Sequence, residues 1–162
     1  MKRAIVYYSL SGNTKEAAEK LAALLQAELI RVETARPMPD SFKSQILKGG
    51  FQAAFGIKPR ITGLAVRPEE YDELILGTPI WAGLCAAPMN TVLAAKGIAE
   101  KVTAVFTLSG GGDNDKCLDA LRKKLPNLKH TAALADRKYG KAEENEEKIS
   151  AFAEEIRNGE RP

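Results

Sequence analysis

Tyr7-Tyr8-Ser9-Leu10-Ser11-Gly12-Asn13-Thr14 continues the apolar run Ala4-Ile5-Val6 and passes straight into a helical pattern from Lys15 onward. The stretch reads as a strand-to-helix turn carrying Ser9, Ser11, Asn13 and Thr14. The first N–H groups of a helix lack intrahelical partners, and the helix dipole favours an anion there. Hydroxyl and amide side chains add donors, and Gly12 lets the chain turn tightly. The residue types therefore suit a phosphate dianion without any cation in the turn. The other reading is an ordinary helix cap after a buried first strand, since Ser, Asn and Thr cap helices routinely.

Working outward, the first strand covers about residues 3–8 and the first helix about 13–27. Ala17, Ala18, Leu21, Ala22 and Leu25 recur at helical spacing. A second strand over 28–33 places Ile30 and Val32 on one face, and Arg36-Pro37-Met38-Pro39 ends it. Residues 40–60 are the least regular. Ser41 caps a helix containing Phe42, Ile46 and Leu47, and Gly49-Gly50 interrupts it. Phe42, Phe51 and Phe55 lie among lysines; a cover packed on the sheet is the favoured reading, a flap over a ligand the alternative. Residues 61–67 form a connector. The next buried strand, 73–78, opens into Thr78-Pro79-Ile80-Trp81-Ala82-Gly83, and Pro88 suits a helix start. A strand over 101–108 ends in Ser109-Gly110-Gly111-Gly112-Asp113. It is followed by a helix striped with Leu118, Leu121 and Leu125, a strand over 130–134, and a final helix with Ile149, Phe152, Ala153 and Ile156 inward. Strands alternating with helices imply an α/β fold with a parallel sheet covered on both faces by right-handed crossovers. At 162 residues, one domain over 1–162 suffices.

Composition sets the outer bounds. A net charge of +3 gives no case for nucleic acid. The charge is uneven: six basic residues from Arg36 to Arg67 face Asp40 alone, and six glutamates between Lys141 and Arg157 face three basic residues. Two solvated faces explain this, and a basic patch for an acidic partner or a nucleotide phosphate is the sharper reading. Cys85 and Cys117 form neither a disulfide framework nor a metal motif, which points to a reducing compartment. Cys85, close behind Trp81, is at most a candidate redox thiol. No signal-peptide pattern or membrane-length apolar run is present, so a cytoplasmic location is expected. His130 reads as structural. Asp113-Asn114-Asp115 reads as a loop end and helix cap, since the rest of a calcium loop is missing.

In a parallel sheet the turns after strands one, three and four share one edge. They are Ser9–Thr14, Thr78–Gly83 and Ser109–Asp113, and the second carries the chain's only Trp. Open α/β sheets bind ligands at that edge, where strand order reverses. A phosphate turn, an aromatic platform and a Gly-rich loop together suit a nucleotide-like ligand with a flat ring. No GxGxxG or GxxxxGK occurs, so dinucleotide and P-loop readings lack support.

Over essentially the whole chain the sequence resembles the flavodoxin family. Ser9-Leu10-Ser11-Gly12-Asn13-Thr14 looks like that family's FMN phosphate loop, and Gly77-Thr78-Pro79-Ile80-Trp81-Ala82-Gly83 like its first isoalloxazine loop. Ser109-Gly110-Gly111-Gly112-Asp113 stands in the place of the second. The resemblance implies a flavodoxin-like three-layer α/β/α sandwich of the short-chain type. Its five-stranded parallel sheet would have the order 2-1-3-4-5. It also implies FMN as cofactor, with Ser9, Leu10, Ser11, Gly12, Asn13 and Thr14 around the phosphate. Thr78, Pro79, Ile80, Trp81, Ala82 and Gly83 would meet the ring, Trp81 lying against it and the backbone at Ala82 and Gly83 meeting its N5 edge. Ser109, Gly110, Gly111 and Gly112 would border its pyrimidine side. No side chain is expected to serve as a general acid or base. The implied function is electron carriage between redox partner proteins or to a small-molecule acceptor. An NAD(P)H-dependent quinone-type oxidoreductase and a fold that has lost FMN and acts as a binding module are the alternatives.

The sequence departs from the family in three places. Ala82 stands where Gly is common, and Ala tolerates positive φ poorly. The third loop has no Tyr, which leaves that ring face open to substrate or covered by the Phe42–Phe55 segment. The chain is mildly basic where the family is typically acidic.

Overall fold

The computed structural model describes residues 1–64, 66–112, 114–139 and 141–159. Asp113, the end of the third loop and the start of the Asp113-Asn114-Asp115 run, lies outside the described residues. Five strands form a parallel sheet: β1 (Arg3–Tyr8), β2 (Glu28–Thr34), β4 (Glu73–Trp81), β6 (Val102–Ser109) and β7 (His130–Ala135). Their order is β2-β1-β4-β6-β7, the expected 2-1-3-4-5. Two short additions lie outside the expectation. The two-residue strand β3 (Ile61–Thr62) pairs antiparallel with the outer edge of β2, so the expected connector closes that edge. Strand β5 (Leu84–Cys85) folds back on the end of β4 as a hairpin.

The central strands are apolar without alternation because both faces are covered; every residue of β1 is buried. Ile5, Tyr7, Ile75, Phe106, Leu108 and Leu134 point to one face, where α1 (Asn13–Leu25) and α6 (Ala142–Asn158) cover them. The alternate residues, among them Val6, Leu74, Leu76, Val102 and Val105, meet the other layer. That layer contains α3 (Ala87–Ala94), the short α4 (Ile98–Lys101) and α5 (Asp115–Arg122). Pro88 occupies the first turn of α3, where its missing N–H costs no helical bond. Leu118, Leu121 and Leu125 are buried as their spacing predicts.

The segment 40–60 differs from its sequence reading. Helix α2 (Phe42–Ala54) runs unbroken through Gly49-Gly50, capped by Ser41, whose Oγ accepts from Ser44 N at 3.2 Å. Its phenylalanines are not packed on the sheet: Phe42 and Phe55 are each 70% exposed and Phe51 57%. The helix buries Gly49 and Ala53 instead.

A buried asparagine completes the C-terminal end of β7. Asn145, on α6, accepts from Ala135 N at 3.1 Å and donates to Ala135 O at 2.6 Å, completing the end of β7 as another strand would. Asn145→Ala would leave both groups of Ala135 buried and unpaired. We expect a loss of about 2 kcal/mol in denaturant unfolding, because orphaned buried polar groups cost their full desolvation.

Candidate functional site

The sheet register brings the three turns together. Tyr7 is opposite Gly77 on β4, and Pro79 is opposite Leu108 on β6. The turns after β1, β4 and β6 therefore share one edge, at the point where the connection order reverses.

The first turn is built around Gly12, which precedes α1 at φ 99, a conformation open to glycine and strained for other residues. Ser9 Oγ accepts from Gly12 N at 3.1 Å, and Asn13 Nδ2 reaches Ser11 Oγ at 3.4 Å. Among the described residues no side chain caps the N-terminus of α1, so its first-turn N–H groups remain available to a ligand. Thr14 is 2% exposed and Ser9 is buried, whereas Leu10 and Ser11 face solvent. Glu16, the acidic residue of this first turn, would oppose an anion if unpaired. It is paired with both Lys20 and Arg137. The hydrogen bond from Lys20, with that from Arg137, holds its carboxyl below the ordinary range against a smaller burial effect. The donor set and its field fit a phosphate dianion.

The second turn lies at the hairpin. Ile80 pairs with Cys85 and Trp81 with Leu84, leaving Ala82 and Gly83 as a two-residue turn with φ of 49° and 77°. Two central residues at positive φ match the twist of tight antiparallel hairpins. Ala82 thus adopts the left-handed backbone that its side chain disfavours. Ala82→Gly should raise stability by about 0.5–1 kcal/mol, the relief of strain being partly offset by greater unfolded-state entropy. Matched denaturant curves measure it. Thr78 is buried and engaged within the turn, its Oγ1 accepting from Ala86 N at 3.1 Å and donating to Pro79 O at 2.9 Å.

Trp81 is half-buried, edge-on to Tyr8 at a centroid distance of 5.6 Å. Helix α2 approaches its ring through glycine: a Cβ on Gly49 would lie 3.1 Å from Trp81 Cδ2 and Cε3, and one on Gly50 3.7 Å from Ala82 Cβ. The Phe42–Phe55 segment therefore does reach the Trp81 turn, through its glycines and not through its aromatic rings.

The third turn, Ser109–Gly112, is tightened by Ser109 Oγ accepting from Gly112 N at 2.8 Å. It has an aromatic neighbour that sequence reasoning missed. Tyr139, 66% exposed, places Cε2 3.4 Å from where a Gly110 Cβ would be. It belongs to the short turn Arg137–Tyr139 after β7, which Asp136 N donating to Ser109 O at 2.8 Å draws alongside. Below this turn Asn114 Nδ2 donates to Thr107 Oγ1 at 2.8 Å, to Thr107 O at 3.3 Å and to Leu134 O at 3.4 Å. Its buried Oδ1 accepts no hydrogen bond from the described residues. Lys116 borders the second turn, Cδ 3.1 Å from a Cβ on Gly83, and Lys141 Nζ lies 4.0 Å from one on Gly112. The surroundings are thus cationic, as the overall charge suggests.

Cys85 and Cys117 are both buried in the core layer beside this edge. Hydrogen bonding to Cys85 and burial push the Cys117 thiol up, so it stays neutral and acts as packing. Among the described residues no group of His, Cys, Asp and Glu could hold a metal, and no helix is long and apolar enough to cross a membrane.

Comparisons with known proteins agree with this fold. A putative flavoprotein from Bacteroides eggerthii DSM 20697 superposes with a TM-score of 0.72 at 23% identity, covering 94% of this chain and 98% of its own. A flavoprotein from Lactobacillus acidophilus NCFM, solved in complex with FMN, gives 0.68 at 24%, covering 90% and 98%. A WrbA-like flavodoxin from Agrobacterium tumefaciens gives 0.59 at 20%, covering 97% and 98%. At these identities the likeness speaks to the fold. No curated protein sequence matches the chain significantly. The family model described as flavodoxin matches residues 2–155, nearly the whole chain. The 2-1-3-4-5 sheet is the fold shared with these proteins, and by the family match this chain belongs to the flavodoxin family.

Proposed function

We propose that the protein binds FMN at this edge and carries electrons between redox partners through it. The observation that carries the reading is the uncapped, charge-compensated N-terminus of α1 beside the Trp81 hairpin on the neighbouring strand. The relative from L. acidophilus, solved with FMN, supports it. Ser9, Ser11, Asn13 and Thr14, with the first-turn N–H groups, would hold the phosphate, Leu10 and Gly12 shaping the turn. Thr78, Pro79 and Ile80 would carry Trp81 to the ring, and Ala82 and Gly83 would offer backbone groups to it. Ser109, Gly110, Gly111 and Gly112 would border its other side. Bound FMN supplies one- and two-electron transfer. The protein's part is to bind, orient and limit water, with no side chain as general acid or base. Lys116 and Lys141 would favour added negative charge at the site, which raises a reduction potential relative to an acidic surround.

The experiment is anaerobic. The FMN-loaded protein should take electrons from a reductase or chemical donor and pass them to an acceptor, and it should oxidise NAD(P)H only slowly when no reductase is present. Rapid NAD(P)H oxidation with a quinone acceptor would replace the carrier reading with an enzymatic one.

A further inference from the structure

Beyond the β1 turn, the basic segment noted in the sequence acquires a shape. The end of β2, the chain from 35 to 38, helix α2 and Pro59-Arg60 enclose a cleft of about 560 Å³. Arg36, Lys48 and Arg60 all line it, with Thr34 and Gln52 as further hydrogen-bonding side chains and, among the described residues, no carboxylate in the wall. None of the three cations makes an ion pair among the described residues, although Arg3, Lys20, Arg31, Arg67, Arg122, Arg137 and Lys148 all do. Three like charges gathered around one concavity repel one another and focus a positive potential into it.

The cleft is also held in shape. Ala35 N donates to Arg60 O at 2.9 Å, joining its two basic walls. Thr91 Oγ1 donates to Pro59 O at 2.7 Å and Asn90 Nδ2 to Ile57 O at 3.2 Å, pinning the 57–60 turn to α3. The volume falls in the range of small-molecule sites, roughly 300–1,000 Å³.

We propose that this cleft is a second anion site, taking a small molecule of nucleotide size that carries a pyrophosphate. Arginine forks pair with phosphate oxygens bidentately, and Lys48 adds a point charge from the helix side. The cleft shares no lining residue with the Ser9–Thr14 turn. It does abut the Trp81 hairpin: Met38, in its wall, lies 3.5 Å from a Cβ on Gly49, the glycine packed on the Trp81 ring. A ligand seated there would stand behind α2, beside the proposed flavin platform.

The test is calorimetric titration of the full chain with pyrophosphate, ADP and adenosine, ionic strength being held constant with potassium chloride. Pyrophosphate and ADP should bind saturably at one site, ADP the tighter, and adenosine should bind at least about tenfold more weakly than ADP. Arg36→Gln/Arg60→Gln, both exposed positions, should weaken ADP by about tenfold to a hundredfold. Ser11→Ala/Thr14→Ala should leave it within about twofold. Absence of saturable binding, undiminished binding by the arginine variant, or adenosine binding as well as ADP would each overturn the proposal. So would loss in the Ser11→Ala/Thr14→Ala protein alone, which would place the anion at the β1 turn.

Discussion

Ser11→Ala/Thr14→Ala is expected to weaken FMN binding by about a hundredfold while leaving riboflavin binding within a few-fold, because the two ligands differ only in the phosphate. A hydrogen bond to a charged group contributes about 1.5–3 kcal/mol, and two lost from one phosphate, less than additively, amount to about 3 kcal/mol. The substitutions are mild for the fold. Ser11 is exposed, and Thr14 in the first turn of α1 becomes a better helix former. Titrations of both apo-proteins with both ligands measure the effect. Equal losses for FMN and riboflavin would mean that Ser9–Thr14 does not hold the phosphate.

Gly77→Ala should be the most damaging single change in the sheet. A Cβ there would lie 2.2 Å from Phe106 Cζ and 2.8 and 2.9 Å from Cε1 and Cε2. Phe106 is 1% exposed, beneath α1 and α6, so its ring has nowhere to go without displacing a helix. Overpacking of a tight core costs about 1–3 kcal/mol, and here the upper end or more is expected. Adding Phe106→Leu should return part of the loss, since the Leu side chain vacates the space the new methyl needs, and the pair should show a coupling of about 1 kcal/mol or more. Denaturant unfolding of the two single variants and the double measures this. A Gly77→Ala protein within about 0.5 kcal/mol of the parent would show that the ring does not rest on the glycine.

Much of the fold, and part of the site, is legible in the sequence. The alternation of strand and helix, the strand-to-helix turn at Ser9–Thr14 and the apolar stripes of α1, α5 and α6 are local patterns, and the structure repeats them. The 2-1-3-4-5 order is not local. It came from the likeness of three turns to a known family, since alternation alone leaves the order open. Gly49-Gly50 read as a helix break because glycine costs about 1 kcal/mol per helical position. Its compensation, a close approach to Trp81 and Ala82, comes from another element and leaves no local trace. Tyr139 was missed for the same reason: it stands beside Gly110 only because β6 and β7 pair, Ser109 opposite Ala135. Phe42, Phe51 and Phe55 read as a cover packed on the sheet because they are large and apolar, whereas the face α2 buries is the one with small residues. The basic run from Arg36 to Arg67 was visible as charge, but its gathering of Arg36, Lys48 and Arg60 around one cleft required the fold.

The most direct test of the FMN reading is a fluorescence titration of the apo-protein with FMN, using Trp81, the chain's only tryptophan, as the reporter. FMN bound beside the hairpin should quench Trp81 saturably with a stoichiometry of one FMN per chain. Emission that stays unchanged while equilibrium dialysis finds no retained FMN would contradict flavin binding at this edge.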